Sequence, residues 1–329
     1  IAGNRPQMAF GENYQGIRED LLLSGLPADN PLGYLAALGI LRTVTLATPE
    51  SQFKMSWEIV NGHWRPRLFS SMKIDRATLI DLLDKQLKAS DSLGAFRLGN
   101  DLTINIEEFR EALVKSQISA SPEDRRDIDF LAAFGSDAIQ SQSNGKPTGQ
   151  IADTDFRTMS GAGNQHFLST IRTFITDVQL THLDKAIFDA WVYDDPLKNH
   201  SMRWDPIDDN RYALRWNNPS GDPKRSKSGS VWGGNRLAIE ALPLFPTQPS
   251  QCELKTTGFF KRNRITALSW PVWSPPISLS EIRSLLAHPL LQQEQPDRIK
   301  LSALGVAEVF RSQRITQGKY RNFVVPRPM

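Results

Sequence analysis

The run Asn30–Val44, NPLGYLAALGILRTV, constrains the fold more than any other stretch of this chain. Asn30 can accept hydrogen bonds from the free amides of a first helical turn, and Pro31 loses nothing at the first helical position. The helix it starts is apolar on nearly every side, so it belongs inside a protein rather than on its surface. Gly33, Ala36, Ala37 and Gly39 let neighbouring elements approach it closely. The rest of the chain has to be built around this helix.

The remaining elements follow from periodicity and punctuation. Residues 1–20 read as an extended arm, rich in Gly, Asn and Gln with no apolar period. Phe53, Met55, Trp57 and Ile59 alternate with polar residues, Asn61-Gly62 supplies a tight turn, and Trp64–Phe69 returns as the second strand of a hairpin. Asp75 predicts a helix to about Ala89, Asn105 another through Gln117, and the capping-box spacing of Ser121–Asp124 a third ending near Gly135. Ser136–Gln150 reads as a flexible polar loop. Helices follow with Phe167, Ile171, Phe174 and Val178 on one face, and from Leu183 to Tyr193. Leu254–Phe260 and Ile265–Trp273 read as strands around the basic turn Lys261–Arg264, and Ser278 opens a helix through His288. The expectation is an α+β protein, with a helix-rich part over 21–200 that contains a β-hairpin. A basic part over 201–329 mixes short antiparallel strands with helices.

Charge is divided along the chain. From residue 201 onward there are 19 Lys/Arg and 10 Asp/Glu, a net of +9, whereas residues 1–200 hold 20 and 26, a net of −6. That polarity points to a polyanion on one side and a basic protein neighbour on the other, against the plainer reading that loops simply drift basic. Cys252 is the single cysteine, which excludes a disulfide framework and a cysteine-built zinc site and makes a reducing cytoplasm the expected compartment. The apolar run Leu32–Ala47 is too short for a membrane span and carries Arg42.

Ser201–Pro246 concentrates basic, planar and glycine residues. Within it, Lys224, Arg225 and Lys227 have only Asp222 as a near acid and are the first candidates for phosphate contact; the alternative is an ordinary solvated loop. Arg211 and Arg215 read more readily as ion-pair partners of Asp205, Asp208 and Asp209. Ser160–Gly163 and Gly233-Gly234-Asn235-Arg236 are glycine loops that open helices and can present amides to an anion, with Arg236 adding charge. Neither is a Walker loop nor completes a dinucleotide fingerprint, and no cofactor is expected. Lys261, Arg262 and Arg264 are further candidates for phosphate, and Asn164, Gln165 and Asn235 for base edges or a minor groove. The five histidines show no metal-ligand spacing. Asp194, Asp195, Asp205, Asp208 and Asp209, followed by Glu253 and Lys255, raise a metal-dependent nuclease as the rival reading. No catalytic residue is assigned.

The phrases SGLPADNPLGYLAALGILR, MRWDPIDDNRYALRW, GGNRLAIEALPLFP and ITALSWPVWSPPISLSEIRSLLAHPLL resemble a CRISPR-associated family of type I systems, in particular the type I-G (type U) lineage and its large-subunit-like members. The resemblance covers the chain from about Leu21 onward. It implies a subunit of an RNA-guided effector (Cascade) complex, in which base pairing reads sequence while protein reads backbone, shape and a flanking motif. The implied partners are double-stranded target DNA, guide RNA, other Cascade subunits and a helicase-nuclease, with no membrane. The chain departs from that pattern in being short for a large subunit. A structural adaptor that contacts only protein is a third reading.

Overall fold

The computed structural model describes residues 19–121, 124–159, 166–195, 200–208, 229–251, 253–263, 265–317 and 320–329. In its first part lie β1 (Glu19–Leu22), α1 (Pro31–Ala47), β2 (Lys54–Val60), β3 (His63–Ser70), α2 (Arg76–Ala89), α3 (Ile106–Ser119), α4 (Arg126–Phe134), β4 (Gly135–Ser143), β5 (Lys146–Asp153), α5 (Phe167–Asp177) and α6 (Leu180–Phe188). Then come α7 (Trp232–Ile239), β6 (Thr247–Ser250), β7 (Glu253–Thr256), β8 (Phe259–Arg262), β9 (Ile265–Trp273), β10 (Ile277–Ser278), α8 (Leu279–Leu286), α9 (Arg298–Ala303), β11 (Val306–Gln317), β12 (Tyr320–Phe323) and β13 (Arg327–Pro328). Helices and antiparallel strands are interleaved throughout, so the fold is α+β.

Helix α1 is the hub. Asn30 accepts from the Leu32 amide at 2.8 Å, Pro31 occupies the first turn, and every residue from Pro31 to Val44 is buried. Its closest neighbour is α7, and Gly39 is what permits the contact: a Cβ built there would lie 1.8 Å from the Leu237 carbonyl oxygen. That atom belongs to a helix backbone and cannot turn away. Gly39→Ala is therefore expected to destabilise the fold by about 3 kcal/mol, the upper part of the overpacking range, read as a lowered urea midpoint at unchanged slope. A midpoint within error of the parent would refute the close α1–α7 contact.

Two sheets flank this hub. One has strand order β1-β3-β2-β10, the other β12-β11-β9-β8, with β13 also on β11. The first is the hairpin foreseen at Asn61-Gly62, whose φ angles of 51° and 82° suit the primed turn that matches strand twist. Side chains from both sheets meet on Tyr34 of α1. Trp57 stacks on it at 5.4 Å, and Trp270 and Trp273 lie at 5.8 and 6.5 Å. The two β9 tryptophans are also anchored by their ring N–H groups, Trp270 to the Ala28 carbonyl at 2.8 Å and Trp273 to the Met55 carbonyl at 2.7 Å. Residues before and after position 200 thus share one hydrophobic core.

The structure corrects several local expectations. Ser136–Gln150 is not a loop but lies within the β4–β5 hairpin, turning at Asn144-Gly145 with φ of 51° and 72°. The strand expected over Leu254–Phe260 is two short strands, β7 and β8, separated by Thr257-Gly258. The helix expected to reach Tyr193 runs over Leu180–Phe188. Helix α4 begins only at Arg126, without a side-chain cap, while the Ser121 hydroxyl accepts from the Asp124 amide at 3.0 Å. Among the described residues no helix is long and apolar enough to cross a membrane.

Candidate nucleic-acid interface

The second sheet gathers basic residues at one end. In its register Arg262 faces Ile265, Lys261 faces Thr266, and Thr266 faces Arg314, while Arg321 on β12 faces Thr316. Lys261 and Arg314 therefore share a row and a face, and Arg321, two residues from Phe323 in that row, shares the face as well. All three turn onto the segment after β5. Lys261 Nζ lies 2.7 Å from Asp155 Oδ2 and Arg314 Nη2 lies 3.3 Å from Asp155 Oδ1. Arg314 also donates to the Asp155 carbonyl at 2.6 Å, and Arg321 to the Arg157 carbonyl at 3.4 Å.

This is an internal ion network more than an open anion site. Arg157 continues it by pairing with Asp101 at 2.7 Å and with Asp153. Burial lowers the Arg314 guanidinium from its ordinary pKa, and burial raises the Asp153 carboxyl despite the nearby Arg157. Arg311, on the same strand, is likewise committed. It lies 4.5 Å over the Phe260 ring and donates to the Leu291, Gln293 and Glu294 carbonyls, tying down the turn before α9.

Arg262 differs because it faces the other side of the sheet. It pairs with Glu294, but both side chains are exposed, 59% and 63%. Such a pair contributes at most about 1 kcal/mol and a phosphate can displace the carboxylate at small cost. The 3₁₀ turn Pro206–Asp208 packs beside β12, where Arg203 donates to Asn322 at 3.3 Å. Lys224, Arg225 and Lys227, with Arg264, Asn164 and Gln165, lie outside the described residues.

The glycine turn Gly233–Arg236 is not a contact surface, contrary to expectation. It forms the buried first turns of α7. A Cβ on Gly233 would fall 2.1 Å from the His182 carbonyl oxygen, so the glycine serves helix packing. Asn235 is fully buried and accepts from the Met202 amide at 2.8 Å. Arg236 is buried on Glu240 at 2.9 Å. The amide that α7 does present, that of Trp232, donates to Asp195 at 2.6 Å.

The described carboxylates of the nuclease reading are dispersed over structural tasks. Asp194 pairs with Lys185, Asp195 caps α7, and Asp208 accepts from Ser201. Asp205 is buried and accepts from Asn30, Ile207 and Tyr193, each at 3.1 Å. Among the described residues no three His, Cys, Asp or Glu side chains are grouped to hold a metal; Asp209 lies outside them. Glu253 and Lys255 are exposed on β7. The role of Arg314 and Arg321 is not visible in the sequence, where they are two of the basic residues of an acid-poor tail. Only the strand register brings them to Lys261. No family model, curated protein or solved structure matches this chain.

Proposed function

We propose that the chain is a non-catalytic nucleic-acid-binding subunit of an RNA-guided type I CRISPR effector complex, contacting target DNA near the flanking motif, the guide RNA backbone, or both. The observation that carries this reading is Arg262, which stands at the end of the second sheet and among the described residues is held by an exposed pair with Glu294. The excess of basic residues after position 200 and the type I-G-like phrases support it. An RNA-guided complex needs such a protein surface for phosphate, because base pairing supplies the sequence specificity.

Replacing Lys224, Arg225 and Lys227 together with alanine should flatten the salt dependence of DNA binding by about one unit of log–log slope for each phosphate no longer neutralised. Arg262→Ala should add a smaller change in the same direction. An unchanged slope in both variants would remove this surface from the proposal. Co-expression with its genomic neighbours should place the chain in a large particle carrying RNA. A second reading, a protein-only adaptor in the same complex, draws on the face of α3, where Val114 and Ile118 are 50% and 81% exposed. It predicts the particle but no binding of isolated protein to DNA at low salt.

A further inference from the structure

A second concentration of arginine lies where the two sides of the charge divide meet, with Arg125 and Arg126 from the acidic part and Arg283 from the basic part. A cleft of about 630 Å³ opens beside the start of α4 and the end of α8, lined by Arg125, Arg126 and Arg283 together with Asp124 and Asp129. Its size is in the range of small-ligand sites. Leu46, Pro243, Leu244 and Ala287 supply apolar wall, and Gln86 and Thr257 supply polar groups.

The donors around this cleft exceed the acceptors. Asp124 takes Arg126 Nε at 3.3 Å, but Arg126 Nη1 is buried without a hydrogen-bond partner. Asp129 is shared between Arg125 at 3.8 Å and Arg42 at 4.0 Å, both beyond hydrogen-bonding distance. Arg42, fully buried behind Asp129, has both Nε and Nη2 without a hydrogen-bond partner. Arg283 makes no ion pair among the described residues; burial lowers the Arg42 pKa against the opposing pull of Glu240 and Asp129, and the charges of Arg283 and Arg126 lower it further. At the start of helix α4 the Arg126 amide donates to the Asp124 carboxylate at 3.3 Å, so the anion is left to the guanidinium groups. Leaving the buried Arg126 Nη1 donor unmade is costly, and an anion that takes it together with the exposed guanidinium groups of Arg125 and Arg283 offsets that cost.

We propose that this cleft binds one nucleotide, its phosphate held by Arg283, Arg125 and Arg126 and its base against the Leu46–Pro243–Leu244 wall. Phosphate is the anion whose oxygens match the planar forks of several arginines together. The nucleotide is either free or a unit of a single strand. In the second case the cleft rests on the nucleic-acid reading above and gives it a specific subsite.

The test uses the intact chain, dTMP in calorimetric titration, and a fluorescein-labelled oligo-dT in anisotropy. Arg283 is exposed, so Arg283→Glu should fold normally, as circular dichroism will verify, while Arg327→Glu is the charge-reversal control outside the cleft lining. The expected result is dTMP binding that Arg283→Glu weakens by about tenfold or more and Arg327→Glu leaves unchanged. No dTMP binding, or equal loss in both variants, overturns the cleft. Oligo-dT binding that survives Arg283→Glu while dTMP fails to bind overturns the cleft and leaves the nucleic-acid reading standing. Binding of dTMP sensitive to Arg283 with no binding of oligo-dT establishes the cleft for a free nucleotide and counts against that reading.

Discussion

Replacing Glu240 with alanine should lower the stability of the fold by about 3–5 kcal/mol, the loss characteristic of removing one partner from a buried ion group. Glu240 stands between two buried arginines from different helices. Its Oε2 takes Arg42 Nη1 at 3.2 Å, its Oε1 takes Arg236 Nη1 at 2.9 Å, and Ser90 donates to the same Oε1 at 3.0 Å. Burial works against its charged form, yet the charges of Arg236 and Arg42 outweigh it and hold the carboxyl below its ordinary pKa. Without it, Arg236 keeps the Leu87 carbonyl and Arg42 keeps the Glu240 backbone carbonyl and a 4.0 Å approach to Asp129. Two positive charges would then face each other in the core. Glu240→Gln should cost nearly as much, since it keeps the shape but not the charge. Exchanging Arg42, Arg236 and Glu240 together for Met, Met and Leu should recover much of the loss, because buried ion groups are often replaceable by apolar ones. Urea unfolding decides it: a loss below about 1 kcal/mol for Glu240→Ala would show that water reaches the cluster.

That cluster also marks the limit of what is legible in the sequence. Capping and alternation are local, so Asn30, Asp75, Asn105 and Ser278 each predict a helix start that the structure has. Arg42 is visible as a charge inside an apolar helix, and such a charge needs a partner when buried. The partner is 198 residues away, a distance no local pattern spans. Arg236 misleads for the same reason. Beside two glycines it reads as an anion-binding turn, whereas Gly233 and Gly39 instead admit the backbones of other helices. The β4–β5 hairpin is hidden although Asn144-Gly145 is the same dipeptide that identifies the first one. Its strands carry mostly polar residues, and without an alternating apolar face the turn signal is outweighed by composition. The arginines of the cleft come from α4 and α8, and only tertiary packing brings them together.

The same buried chemistry gives the fold a pH dependence of unusual sign for an aspartate. Asp205 is fully enclosed, and burial, reinforced by the charge of Asp208, raises its pKa to about 7. Hydrogen bonds from Ile207, Asn30 and Tyr193 pull the other way without compensating. In the unfolded chain the same carboxyl titrates near about 4. Between those two values the folded state holds a proton that the unfolded chain has released. This group's contribution is therefore fully present below about pH 4 and is lost as pH rises to about 7. At about 1.4 kcal/mol per unit over roughly three units, the loss is of the order of 4 kcal/mol. Asp205→Asn fixes the neutral state: its Oδ1 can still accept from Asn30 and Ile207, and the Tyr193 hydroxyl can turn to accept from the new amide. The variant should match the parent near pH 4, exceed it by a few kcal/mol at pH 8, and show a flatter profile between. Denaturant midpoints measured across that range provide the test. Parallel profiles, or a variant less stable than the parent at pH 8, would mean that Asp205 is charged in the folded protein and that Asn30 and Tyr193 solvate it.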